Sequence, residues 1–273
     1  MVVLREDTKL IILIKKELTA LARSTLFYVT SALLIVSSAY LFSKFVYQFN
    51  LSLAEIQAGK MASIQTPDTF RHIIAPYISS IVWIQLLLIP MLISRIVLLD
   101  RQQGSLEVLL LSGNTKLKMG VAKLTVSLLT ACLFSLVSFV FPFLLALFDS
   151  LSALMLCNAF CALLIVTLAV TCISFALSLF IGDILITAGA SMIVSFGLLI
   201  GASQIGSSQN SAVTSTLAAI VKTFSPLTYS VELLQGIFSL SVVSYCSLIL
   251  LFAFVVLLFS DGGRAFILKG EES

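Results

Sequence analysis

Six stretches of this chain, 26–46, 73–99, 124–148, 154–181, 184–205 and 242–260, are long apolar runs with charges only near their ends. A helix needs about 20 mostly apolar residues to cross the hydrocarbon of a bilayer. In that solvent every backbone polar group must be satisfied inside the protein, which leaves helices or a closed barrel. Barrel strands alternate apolar and polar residues over segments of about ten, and these runs do not alternate. The expected fold is therefore an all-α integral membrane protein with six transmembrane helices, forming one domain over 1–273. Composition points the same way. Only 11% of the 273 residues are charged, against about 25% in an ordinary soluble domain, and the mean hydropathy is +1.13. A net charge of +3 is too small to suggest a nucleic-acid partner.

The basic residues set an orientation. Arg5, Lys9, Lys15, Lys16 and Arg23 precede the first span; Arg95, Arg101, Lys116, Lys118 and Lys123 lie around the connection between the second and third; Arg264 and Lys269 follow the sixth. Lys44, Lys60, Arg71 and Lys222 fall on the other side, so twelve basic residues face four. Basic residues concentrate on the cytoplasmic side, which predicts cytoplasmic N and C termini and an even number of spans. The N-terminal charges continue to Arg23, and no small-residue cleavage motif follows, so the first run reads as an uncleaved span.

Three peripheral features are expected. In 1–25, Leu10, Ile14, Leu18 and Leu21 recur at helical spacing, with Lys9, Lys16 and Arg23 on another face. This pattern suits an amphipathic helix in the cytoplasmic interface; a simple anchor with basic flanks gives it too. In 202–241, residues 213–224 and 227–238 form two short helical patterns broken at Ser225-Pro226. Each is too short to span, and the pair reads as an outer re-entrant hairpin or as two surface helices. Gly189, Gly197 and Gly201 share one row of the fifth span and mark a candidate helix-packing face.

Reactive chemistry is sparse. The spans carry no mid-membrane acid or base of the kind that ion-coupled carriers use. The single histidine, His72, is an interfacial polar residue by position, and one histidine makes neither a metal cluster nor a catalytic triad. The cysteines, Cys132, Cys157, Cys161, Cys172 and Cys246, follow no zinc spacing and read as inert buried thiols. No phosphate-binding G-x-x-x-x-G-K-[ST] loop is present. No catalytic, cofactor or metal site is expected.

The connection 100–123 is the most informative segment. A charged stretch at 100–103 leads to Gly104-Ser105, where serine is a good N-cap. Leu106, Leu109 and Leu110 then give a short helix an apolar face, and Ser112-Gly113-Asn114 ends it. Taken by itself, the segment is either a charged loop that fixes topology or a rigid helix that receives a push from a docked partner.

The run Arg101-Gln102-Gln103-Gly104-Ser105-Leu106-Glu107-Val108-Leu109-Leu110, followed by Gly120-Val121-Ala122-Lys123, resembles the segment after the second span of type-2 ATP-binding-cassette permeases. Ser105 stands where threonine is usual, Gln103 where glutamate or arginine is frequent, and Ser112-Gly113-Asn114 replaces a proline-containing turn. Lys16-Glu17-Leu18 resembles the family's entry helix. Phe224-Ser225-Pro226-Leu227 with Gly236-Ile237 resembles the gliding-motility and nitrous-oxide-accessory branch.

The resemblance implies a permease subunit, an exporter of a bacterial inner membrane. It would pair with a second copy or a paralogue and be capped by two cytoplasmic ATPase subunits that bind ATP and Mg²⁺. It makes Arg101, Gln103, Gly104, Leu106, Glu107 and Leu110 the coupling contacts to the ATPase, and Ser225, Pro226 and Gly236 part of the outer re-entrant element. Membrane lipids surround the whole. The competing readings are an ion-coupled secondary transporter and a noncatalytic membrane scaffold or assembly factor.

Overall fold

A computed structural model describes residues 2–57, 68–102, 116–148, 152–205 and 223–270. Among these residues every regular element is helical. The α-helices are α1 (Val2–Ala22), α2 (Thr25–Gln57), α3 (Ala75–Gln102), α4 (Lys116–Phe148), α5 (Ala153–Phe180), α6 (Ile184–Ile205), α7 (Pro226–Leu234) and α8 (Leu240–Gly270), and a π-helical turn (Phe70–Ile74) leads into α3. Five segments, Thr25–Gln57, Phe70–Asp100, Leu117–Phe148, Ala153–Phe180 and Leu240–Phe259, are long and apolar enough to cross a membrane. The 22-residue α6, apolar along Ile184–Leu199, is the sixth candidate. The outer faces expose side chains such as Val36, Leu136, Ile193 and Leu251, far more apolar surface than a water-soluble protein shows. This is the architecture of a multi-pass helical membrane protein.

The helices outrun the apolar windows. The first run was expected to end at 46, but α2 continues to Gln57. The second continues through Arg101 to Gln102, and α4 begins at Lys116, so 100–102 and 116–123 are helix rather than loop. Hydropathy marks the thickness of hydrocarbon, whereas a started helix adds one backbone hydrogen bond per residue and stops only at a stop signal. Such a signal ends α7. Its pattern was expected to reach 238, but Gly236 turns to φ +83°. The Gly236 amide bonds to Leu233 O and the Ile237 amide to Glu232 O, the paired bonds of a Schellman stop, which needs a left-handed residue.

α5 is the hub, packed against α3, α4, α6, α7 and α8. It carries no charge, and its buried surface mixes large side chains such as Leu163 and Phe175 with many small ones: Ala159, Ala162, Thr167, Ala169, Thr171, Ser174 and Ser178. Small residues let helices approach closely where lipid offers no hydrophobic push. The hydroxyls bond back to their own helix, Thr171 to Thr167 O and Ser174 to Val170 O, each at 2.7 Å, so burial leaves them satisfied. Ser152 caps the start of α5, accepting from the Met155 amide, and Asp183 accepts from the Leu185 amide at 2.8 Å to open α6.

Within this chain the buried face of α6 is not at Gly189 or Gly197. A methyl group at Gly189 or Gly197 would touch nothing within 4 Å. The buried row is Thr187, Ser191, Ser195 and Leu199, four residues apart and turned toward α3 and α5. Gly201 lies in the same helix. The close approach at a glycine occurs at Gly120 of α4, where a Cβ would run into Leu257 of α8.

α7 sits in the bundle by a buried face of Pro226, Ser230 and Leu233. Leu233 joins Ala162 and Ile165 of α5 with Val242 and Tyr245 of α8. Tyr229 stacks on Tyr245 with ring centres 4.4 Å apart, and the Tyr245 hydroxyl donates to Phe224 O at 2.9 Å. Ser225 is the extended N-cap and Pro226 the first helical residue, the position where a missing amide proton costs nothing.

Candidate functional site

α1 lies on α4 by a stripe other than the one expected to face the membrane interface. Leu13, Glu17 and Leu21 are buried, while Leu18 is exposed and Ile14 half-buried. Leu13 packs on Met119 and Ala122. One member of the buried i, i+4, i+8 row is thus a carboxylic acid, and an acid at 8% exposure requires partners.

The partners come from the facing ends of α3 and α4. Lys123 Nζ lies 2.8 Å from Asp100 Oδ2 and donates to Val97 O at 2.9 Å and Ile96 O at 3.2 Å. Lys16 Nζ lies 3.8 Å from both Asp100 Oδ1 and Glu17 Oε1. Lys123 is 5% exposed. The carbonyls it meets are in the last turns of α3, where the helix dipole favours a cation. Lys16, Glu17, Arg95, Ile96, Leu99 and Asp100 also line a cavity of about 50 Å³. Four ionisable groups from three helices therefore form one latch.

Glu17 is held above its ordinary value of 4.5, first by burial and further by the Asp100 carboxylate, against the lowering pull of Lys123 and Lys16. The folded state binds this proton more tightly than the unfolded chain does. Its contribution to stability is complete below the ordinary carboxylate range and is lost as pH rises through the folded-state value. Glu17→Gln is expected to flatten the decline in thermal stability above pH 4.5 in detergent. An unchanged pH profile in Glu17→Gln would remove Glu17 as the titrating group.

Of the residues expected to contact an ATPase, one described residue falls beside this latch. Arg101 is in the last turn of α3, next to Asp100. Gln103, Gly104, Leu106, Glu107 and Leu110 lie outside the described residues. Glu17, Asp100 and Lys123 were not singled out as a site. Lys123 enters the sequence reading as a charge for orientation and as the end of the Gly120–Lys123 match, Glu17 as part of the Lys16-Glu17-Leu18 match, and the signal that would join them is Glu17 standing in an apolar i, i+4, i+8 row.

A second polar constellation lies within the bundle. Pro142 has no amide proton, so the Ser138 carbonyl one turn earlier in α4 loses its helical partner. The Tyr77 hydroxyl of α3 donates to that carbonyl at 2.5 Å. Gln85 Nε2, two turns along α3, donates to Ser138 Oγ at 2.9 Å. Ser135 and Thr167 share a hydrogen bond of 2.8 Å between α4 and α5. Tyr77 and Gln85 are 0% and 2% exposed. These groups fasten helices together by hydrogen bonds where water cannot substitute.

His72 is exposed in the middle of the π-helical turn, its Nδ1 2.9 Å from Asp68 O. The five cysteines are free thiols. Among the described residues, no three of His, Cys, Asp and Glu converge in a way that could hold a metal ion. No model of a known protein family and no curated protein matches this sequence.

Proposed function

We propose that this chain is the membrane-spanning permease subunit of a type-2 ATP-binding-cassette exporter. It pairs with a second copy or a paralogue, and ATP and Mg²⁺ are bound by separate ATPase subunits. The observation that carries the reading is the latch. Residues 103–115 join Gln102 of α3 to Lys116 of α4, and the latch ties the ends of these two helices to α1. A displacement delivered to 103–115 is therefore delivered to α1, α3 and α4 together. A connection that only fixed topology would need no buried charges to lock its flanking helices to a third.

In this mechanism ATP closes the ATPase dimer, and the closure moves 103–115 through contacts at Arg101, Glu107 and their neighbours. The latch converts that movement into a concerted shift of α1, α3 and α4 against the second permease. The basic termini and 103–115 face the cytoplasm. α7, seated by Ser225 and Pro226 and stopped at Gly236, is the inner arm of an outer re-entrant element.

Affinity capture of the tagged chain in mild detergent, followed by mass spectrometry, tests the reading. A P-loop ATPase is expected to co-purify, and Glu107→Lys should reduce its recovery by about tenfold, equivalent to about 1.4 kcal/mol. Absence of any ATPase across several detergents would overturn the proposal and favour a scaffold or an ion-coupled carrier.

A further inference from the structure

α6 and α8 both pack on α5, yet they make no comparable contact with each other. Between them lies a cavity of about 330 Å³. Its floor is Ala169, Cys172 and Ala176 of α5, at 1%, 0% and 6% exposure. Its rim is open: Phe180, Val194, Leu248 and Phe252 are 67%, 43%, 48% and 49% exposed. Phe224 and Tyr245 also line it. The one hydroxyl among the lining side chains, that of Tyr245, is satisfied by the Phe224 carbonyl.

The cavity is a slot that opens between two helices toward the bilayer. Water does not fill it, because a buried water needs two to four polar partners. Left empty, its floor atoms would forfeit their dispersion contacts on one side. A helix of a partner protein, about 10–12 Å across with its side chains, is too wide for the space. An alkyl chain is narrow and wholly apolar, and it is the most abundant solute of that shape in a membrane. The volume also falls in the usual range for small-ligand sites.

We infer that the slot between α6 and α8 is a binding site for one acyl chain of a membrane lipid, with its head group left outside. The inference rests on the membrane-embedded architecture and is independent of the proposed transport function.

The test uses the full chain in phospholipid nanodiscs doped with a phospholipid that carries a diazirine midway along one acyl chain. After photolysis, insertion sites are mapped by peptide mass spectrometry. The floor residues Ala169, Cys172 and Ala176 should be labelled, and so should Val36, which is 68% exposed on α2 and reports ordinary contact with lipid. Ala176→Phe, which fills the slot, should cut floor labelling by about tenfold and leave Val36 unchanged. Should that variant misfold, the native chain is labelled with a phospholipid that carries its diazirine in the head group, which should label the rim and leave the floor unlabelled. A floor unlabelled by the acyl-chain probe, floor labelling indifferent to Ala176→Phe, or a floor labelled equally by the head-group probe would overturn the inference.

Discussion

Lys123→Met is expected to destabilise the folded bundle by about 3–5 kcal/mol, the usual cost of removing one partner from a buried ion pair. The substitution preserves most of the side-chain volume and deletes the charge 2.8 Å from Asp100. The carboxylate is then left in a site that is only 13% exposed, with Lys16 at 3.8 Å as a more distant cation. That remaining charge places the effect toward the lower end of the range. The double variant Lys123→Met/Asp100→Asn should recover much of the loss, because replacing both members of a buried pair is often close to neutral. Thermal unfolding in detergent, followed by the reaction of buried Cys172 with a thiol reagent in a background where Cys132, Cys157, Cys161 and Cys246 are replaced by serine, compares both. A single variant no worse than the double would show that Asp100 does not depend on Lys123. Under the proposed function the double variant is the more informative one. It restores the fold without the latch, so ATPase capture should persist while ATP-driven transport is lost.

The second large effect concerns a hydrogen bond that a proline makes necessary. Tyr77→Phe removes the donor that satisfies the Ser138 carbonyl, leaving a buried acceptor unpaired at a cost of about 1–3 kcal/mol. In a Pro142→Ala background the new amide proton can bond the same carbonyl. Tyr77→Phe should then cost less, with a coupling of about 1 kcal/mol in the double-mutant cycle. Any change in the bend of α4 caused by losing the proline is present in both Pro142→Ala backgrounds, so the cycle isolates the hydroxyl–carbonyl bond. Equal costs with and without Pro142 would mean that Tyr77 acts through packing alone.

The apolar runs made the helical bundle legible because the cost of burying unpaired backbone in lipid is large and local. A stretch such as 154–181 has no alternative to a helix wherever its neighbours lie. The helix ends were less legible, since Lys116 and Lys118 are compatible with either a loop or the first turn of a helix that projects into the interface. Which face of α1 is buried was not legible. Both Leu10-Ile14-Leu18-Leu21 and Leu13-Glu17-Leu21 fit a helical period, and the choice is made by the surface of α4 around Met119 and Ala122. The same holds for α6, where glycine and serine rows are both small enough for close packing and the neighbours select the serines. The latch was hidden for a related reason. Glu17, Asp100 and Lys123 are far apart in sequence, and each is an ordinary interfacial charge until the three helix ends are brought together.

The length of α2 has a consequence for the outline of the molecule. Its 33 residues extend about 50 Å, well beyond about 30 Å of hydrocarbon. Even at a tilt of about 40°, the steep end of what membrane helices adopt, it would still rise about 38 Å along the bilayer normal. At least one turn must stand clear of the lipid tails. Two residues separate α1 from α2, which leaves little slack on that side, so the surplus emerges on the other, at the end carrying Phe49 beside His72. One face of the protein therefore carries the end of α2 at least one turn above the lipid tails, at the level of the head groups. On that side a protease or an antibody meets helix before it meets hydrocarbon.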